Sequence, residues 1–286
     1  MKPHKKYLMR TLNQTYKELA IPYFKEVFDC VDEIMTQHNI SVYLIGATAM
    51  ALEHLKHGIK PVRGTKDIDF AIMVSSMEEY GQISNSLIHK GFKKVRAPWT
   101  FYSEKYQAVI DILPFGNIEK HDAVQLNEHH TDLHMLGFKE VLQQAVPVRI
   151  EEKIANIPSL PGMVILKLVA WSDRPEDRTD DLSDILNIIE HYFDIEYNEI
   201  LQTHFDILLE EEDFDTLKVG AEILGRNARQ YLKQSDTLSN RILEILRTNL
   251  QEVSGSKIAR AWAGLRGWGI DYAFSILKSL QKGLSK

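Results

Sequence analysis

Between residues 16 and 37, Ala20, Tyr23, Phe24, Val27, Val31 and Ile34 recur at helical spacing, which predicts one amphipathic helix at the start of the chain. Ser41-Val42-Tyr43-Leu44-Ile45 then reads as a short buried strand stopping at Gly46, and a helix is expected over 48–55. Strands are predicted over 67–74, 93–96, 100–103 and 109–113, with a helix over 77–89 that Gly91 ends and a hairpin over 138–150 covering the sheet. Two prolines and a glycine in Asn156-Ile157-Pro158-Ser159-Leu160-Pro161-Gly162 interrupt the pattern. Every periodic segment beyond is helical: 163–172, 178–191, 197–210, 215–232, 237–253 and 257–283. The expected class is α+β: a small mixed-sheet core with an N-terminal helix at 1–155, followed by an all-helical domain at 156–286.

Charges that break the apolar pattern are the candidates for chemistry. Asp67 and Asp69 lie two apart on a predicted strand, so they share one face while Ile68, Phe70 and Ile72 point the other way. Two ionised carboxylates roughly 6 to 7 Å apart repel without a cation between them, and Mg²⁺ prefers oxygen ligands. An isolated Asp-x-Asp is also what the wet face of an edge strand looks like. Two companions favour the metal reading. Upstream, a strand entering a helix through Gly46 exposes backbone N–H groups, and these with the helix dipole and the Thr48 hydroxyl suit a phosphate. Downstream, Asp111 stands alone among Val109, Ile110, Ile112 and Leu113, where a carboxylate is costly to bury unless paired or bound to metal. Arg63 and Lys66 precede the acidic strand and could neutralise phosphate charge, or be ordinary loop charges. Lys167, among Ile165, Leu166, Leu168 and Val169, either snorkels or is held by a carboxylate or phosphate; Asp181 and Asp184, at i, i+3 on one helical face, are the nearest acids.

The order of strand, Gly46-Ala47-Thr48-Ala49, helix, Arg63-Gly64-Thr65-Lys66-Asp67-Ile68-Asp69-Phe70, then Val109-Ile110-Asp111, resembles the DNA polymerase β-like nucleotidyltransferase superfamily. Leu166-Lys167-Leu168-Val169-Ala170-Trp171-Ser172-Asp173-Arg174 and Asp181-Leu182-Ser183-Asp184 resemble motifs of its AbiEii/AbiGii toxin-type group. The resemblance implies a core that binds a nucleoside triphosphate and Mg²⁺ and moves a nucleotide to a hydroxyl with release of pyrophosphate. It implies Gly46, Ala47 and Thr48 as triphosphate contacts, and Asp67, Asp69 and Asp111 as catalytic metal ligands. It adds Lys167 and Asp181 to the nucleotide-binding set. Gly46-Ala47 departs from the Gly-Gly or Gly-Ser usual at that place. The acceptor the group suggests is RNA, such as a tRNA end, with an antitoxin protein as a further partner. A small molecule or protein hydroxyl, or a non-catalytic nucleotide- or partner-binding module on the same fold, are the alternatives.

Composition narrows the setting more than the chemistry. A chain of 286 residues with 44% hydrophobic content can bury a substantial core, and its length favours two domains. No run reaches the roughly 18 apolar residues of a membrane helix and no signal-peptide core follows Met1, so cytoplasmic residence without membrane contact is the expectation. Cys30 is the single cysteine, which excludes an internal disulfide and a cysteine cluster for zinc. The net charge of −6 hides an asymmetry. Residues 176–215 carry fifteen acids against Arg178 alone, and residues 218–286 carry twelve Lys or Arg against five acids. Such bands are either solvated helix faces or docking surfaces, basic for phosphate backbone and acidic for a basic partner. His129, His130 and His134 lack partners at metal-ligand spacing and read as loop residues. Trp262, Trp268 and Tyr272 among Arg260 and Arg266 could stack on bases, although packing of the last helix explains them more simply.

Overall fold

A computed structural model of the chain describes residues 15–61, 67–95, 97–126, 132–210 and 214–285. These fall into two units, Met1–Ser159 and Leu160–Lys286. The first unit is built on a five-stranded sheet of β1 (Val42–Ile45), β2 (Asp67–Met73), β3 (Phe92–Lys94), β4 (Thr100–Ser103) and β5 (Ala108–Phe115), in the order β1-β2-β5-β4-β3. β2 and β5 run parallel at its centre, and the other pairings are antiparallel. Alternation decides what each face meets. Ile68, Phe70 and Ile72 of β2 and Ile110 and Ile112 of β5 are fully buried on one side. Helix α3 (Met77–His89), capped by Ser76, is tied to that sheet where the Tyr80 hydroxyl donates to the Ile112 carbonyl at 3.2 Å. Burial pushes the Tyr80 phenol well above its ordinary pKa. Helix α1 (Phe24–His38) packs beside α3, and α2 (Gly46–Lys56) lies against β1 and β2.

The opposite face is covered in part by an apolar cluster. Ala71, Met73, Leu113 and Phe115 join an apolar cluster with Val124 and Leu133 from the ribbon of β6 (Ala123–Gln125) and β7 (Asp132–His134), and with Leu142 of α4 (Phe138–Leu142). Asp67, Asp69 and Asp111 belong to that face by the period of two, at the border of this cluster, whose member Ile45 pairs with Asp69.

Several expectations change here. The single helix expected over 16–37 is a 3₁₀ turn at Thr15–Leu19 followed by α1. Ala20 and Tyr23 take left-handed backbone, and Pro22, lacking an N–H and disfavouring helix at the residue before it, breaks the run. The hairpin expected over 138–150 is instead β8 (Val146–Ile150) paired with β9 (Lys153–Ile157), while residues 138–142 are helical. Because β9 pairs through Ile157, the residues up to Ser159 belong to the first unit rather than to the helices.

The second unit is helical throughout its described residues: α5 (Leu160–Asp173), α6 (Thr179–Ile195), α7 (Tyr197–Thr203), α8 (Phe205–Glu210), α9 (Thr216–Leu232), α10 (Asp236–Asn249), α11 (Lys257–Arg266) and α12 (Ile270–Ser285). The segment expected over 197–210 divides at His204. The one expected over 257–283 divides at Gly267, whose left-handed φ of 67° caps α11 and re-aims the chain. Trp262 is fully buried and donates its indole N–H to the Leu182 carbonyl at 2.9 Å, so it is a core residue and no platform for bases. Tyr272 donates to Asp215, which also caps α9; burial and that bond push its phenol up to about 12. The two charge bands partly neutralise each other inside this unit. Arg266 forks onto both oxygens of Glu190 at 2.5 and 2.7 Å, and Arg226 pairs with Asp206 at 2.8 Å.

Gly264 lies inside α11 with nothing near its missing Cβ. Gly264→Ala should therefore stabilise the protein by about 0.5–1 kcal/mol through helix propensity alone, read as a raised thermal midpoint.

Candidate functional site

The register of three strands gathers the site. Ile45 at the end of β1 pairs with Asp69, and Asp69 pairs with Asp111, so Ile45, Asp69 and Asp111 occupy adjacent positions across β1, β2 and β5, with Gly46 directly following Ile45. Asp67 lies on the same face one pleat earlier, opposite Val109. Thr100 of β4 completes the row beside Asp111. Asp67 is exposed, Asp69 and Asp111 are half-buried, and all three engage other groups. Sequence reasoning anticipates that Asp67 and Asp69 share a face because a two-residue period needs only the correct strand assignment, whereas the place of Asp111 follows from the strand pairing.

Gly46 is required by contact as well as by conformation. Its φ is +68°, and a Cβ added there would stand 2.2 Å from Asp69 Oδ2, closer than any side chain tolerates. The turn thus runs directly against the carboxylate. From that turn α2 starts with no side chain capping it, so the amides of Gly46, Ala47 and Thr48 begin a helix whose positive end lies beside the acidic row. Thr48 is placed differently from expectation. Its side chain is fully buried and its hydroxyl faces the Asp67 carbonyl at 3.5 Å, which makes it a brace between α2 and β2.

The donor set fits magnesium in kind, since it is all oxygen and one carboxylate is pressed against a glycine turn. As the side chains stand, no group of three His, Cys, Asp or Glu among the described residues forms a site able to hold a metal by itself. Mg²⁺ commonly binds through one or two carboxylates completed by substrate phosphates, so a full protein cage is not what this ion needs.

Lys167 and Asp181 are brought together with each other, inside the helical unit. The Lys167 ammonium donates to Asp181 Oδ1 at 3.1 Å and Asp184 Oδ2 at 2.6 Å, and Arg178 reaches the other Asp181 oxygen at 3.3 Å. All three members of the central group are nearly enclosed, which makes the cluster a pin between α5 and α6. Lys167→Met should remove the buried cation that Asp181 and Asp184 share and cost about 3 kcal/mol, measured by denaturant unfolding. Arg63, Lys66, His129 and His130 lie outside the described residues, and His134 is exposed on β7. Sequence reasoning missed Thr100 beside Asp111, since a lone threonine on a strand carries no signal until its register is known.

No known protein family and no curated protein matches this chain. Among solved structures, it is similar to ANT(2″)-Ia in complex with adenylyl-2″-tobramycin, at 13% identity and a TM-score of 0.37 over 56% of this chain and 84% of that one. A solution structure of the antibiotic-resistance factor ANT(2″)-Ia aligns at 15% identity and a TM-score of 0.32 over 53% of this chain and 73% of that one. An antigenic nucleotidyltransferase-like protein from Paracoccidioides brasiliensis aligns at 13% identity and a TM-score of 0.37 over 78% of this chain and 94% of that one. Likeness of this degree assigns no residue a role. Among the described residues, no helix is long and apolar enough to cross a membrane.

Proposed function

We propose that the first unit is a Mg²⁺-dependent nucleotidyltransferase. The reading rests on one observation: the left-handed Gly46 turn abuts the Asp69 carboxylate, which is itself in register with Asp111. In this reading the amides opening α2 receive the triphosphate, which glycine admits because no Cβ intervenes. Asp67 and Asp69 would hold the magnesium that accompanies the nucleotide, and Asp111 would complete a second position beside the acceptor. Bound there, the metal would supply charge neutralisation and a lowered hydroxyl pKa. The acceptor oxygen attacks the α-phosphorus in line, the bond to the bridging oxygen of the β-phosphate breaks, and pyrophosphate leaves while the hydroxyl proton passes to solvent. Val109, half-buried between Asp67 and the β4 strand, offers an apolar floor next to the reacting groups.

The acceptor proposed is an RNA hydroxyl such as a tRNA end, which the sequence resemblance suggests, and an antitoxin-type protein partner belongs to the same proposal. Incubation with each labelled NTP, Mg²⁺ and total RNA tests it: covalent label in RNA supports the enzyme. Label moving only to an aminoglycoside or a protein would correct the acceptor. A Mg²⁺-dependent thermal shift with NTP but no covalent label would mark a non-catalytic binding module instead.

Gly46→Ala tests the turn. Its left-handed backbone costs a Cβ residue about 1–2 kcal/mol, and the methyl must displace Asp69. Transfer should fall at least about tenfold, beyond what the modest loss in melting temperature explains, because a displacement of about 1 Å at a reacting centre is costly.

A further inference from the structure

Apolar side chains collect on the surface of the helical unit where the chain is most acidic. Tyr197, Leu201, Phe205 and Phe214, four of the ten large hydrophobic side chains exposed among the described residues, fall within one short stretch, each between 43% and 57% exposed. Three of them form a continuous surface. Phe193 meets Tyr197 edge to face at 5.9 Å and Phe214 at 5.7 Å, and Leu201 follows Tyr197 by one turn of α7. Scattered exposed hydrophobics need no explanation, but contiguous ones rimmed by charge mark a contact surface. Along the end of α6 and α7 the rim is acidic. Residues 179–217 contain no Lys or Arg, and Asp194 and Glu199 stand exposed beside the aromatic group without an ion-pair partner among the described residues.

We propose that this surface, formed by the end of α6, by α7 and by Phe214, docks a basic amphipathic helix of a partner protein. The two features select that occupant together. The Tyr197–Leu201 ridge with its flanking aromatic rings accepts an apolar helical stripe, and the acidic rim pairs with Lys or Arg beside that stripe. The same acids repel the phosphates of RNA and of anionic lipid, which argues against those surfaces. A second copy of this chain is a weaker occupant, because Arg226 and Arg266 of its basic region are already bonded to Asp206 and Glu190.

The test uses the full chain and a labelled synthetic helix about 18 residues long, with Leu along one face and Lys on the others, beside a counterpart with Glu for Lys. Fluorescence anisotropy should show binding of the Lys helix alone, weakening as salt rises from about 0.05 to about 0.5 M. The double variant Tyr197→Ser, Phe214→Ser changes two exposed side chains, should keep its circular dichroism, and should bind at least about tenfold more weakly. Unchanged binding by that variant would reduce the interaction to charge alone and overturn the proposal, as would equal binding of the Glu helix. Sedimentation showing a dimer that the variant dissolves would give the surface to a second copy instead.

Discussion

Asp69→Asn should lower nucleotide transfer by roughly a thousandfold or more, the equivalent of several kcal/mol in the barrier, while leaving the thermal midpoint nearly unchanged. The size of the effect follows from position. Asp69 lies between the Ile45–Gly46 turn and Asp111, and a Cβ at Gly46 would meet its carboxylate, so in the proposed reading its charge faces both the triphosphate and the acceptor. Asparagine preserves shape and polarity, and the site is half-buried rather than core, so the strand should keep its packing through Ile68, Phe70 and Ile72. The measurement is transfer of labelled nucleotide alongside a melting curve. A variant that melts as the parent does and still transfers at the parent rate would remove Asp69 from the chemistry. Loss of both signals would instead identify a structural role, and Asp111→Asn then supplies an independent reading of the same row.

Gly283→Ala should destabilise the helical unit by about 3 kcal/mol and lower its melting temperature by roughly 10 °C. Helix α12 crosses α9 through paired glycines. A Cβ on Gly283 would stand 1.9 Å from the Glu222 carbonyl oxygen and 2.8 Å from the Arg226 nitrogen, and one on Gly225 would stand 2.3 Å from the Leu280 carbonyl. The obstructing atoms are backbone, so no rotamer change relieves the clash and the helices must separate. Separation also loosens the buried Glu222 carboxylate, which Lys282 holds at 2.7 Å and Arg226 at 3.0 Å. Helix propensity alone favours alanine by about 1 kcal/mol, so the sign of the change distinguishes the two influences. Gly264→Ala, with open space around it, should move the midpoint in the opposite direction. Equal behaviour of the two variants would show that the crossing is looser than the structure describes.

The acidic and basic bands show how a sequence signal changes meaning on folding. Counted along the chain they suggest two docking surfaces, yet Glu190–Arg266 and Asp206–Arg226 join residues 76 and 20 positions apart and cancel charge within one unit. What remains exposed is the smaller region around Tyr197 and Phe214, where residues 179–217 contain no Lys or Arg. Lys167 illustrates the reverse. Its apolar context leaves it either snorkelling or held by a carboxylate or phosphate, and the fold pairs it with Asp181 and Asp184 between α5 and α6.

Sequence alone determined the elements whose signal is local: the alternation that puts Asp67 and Asp69 on one face, the helix over 77–89, and the change from sheet to helices near Pro158 and Pro161. A period of two or 3.6 residues is set by backbone geometry and needs no partner. Tertiary structure decided what depends on partners distant in the chain. It set the parallel pairing that brings Asp111 beside Asp69, the burial of the Thr48 hydroxyl under β2, and the replacement of the expected 138–150 hairpin by β8 and β9. It also decided that Gly46 is required by contact with Asp69. That need arises only when two strands fix a turn against a side chain more than twenty residues away, and no local pattern encodes that distance.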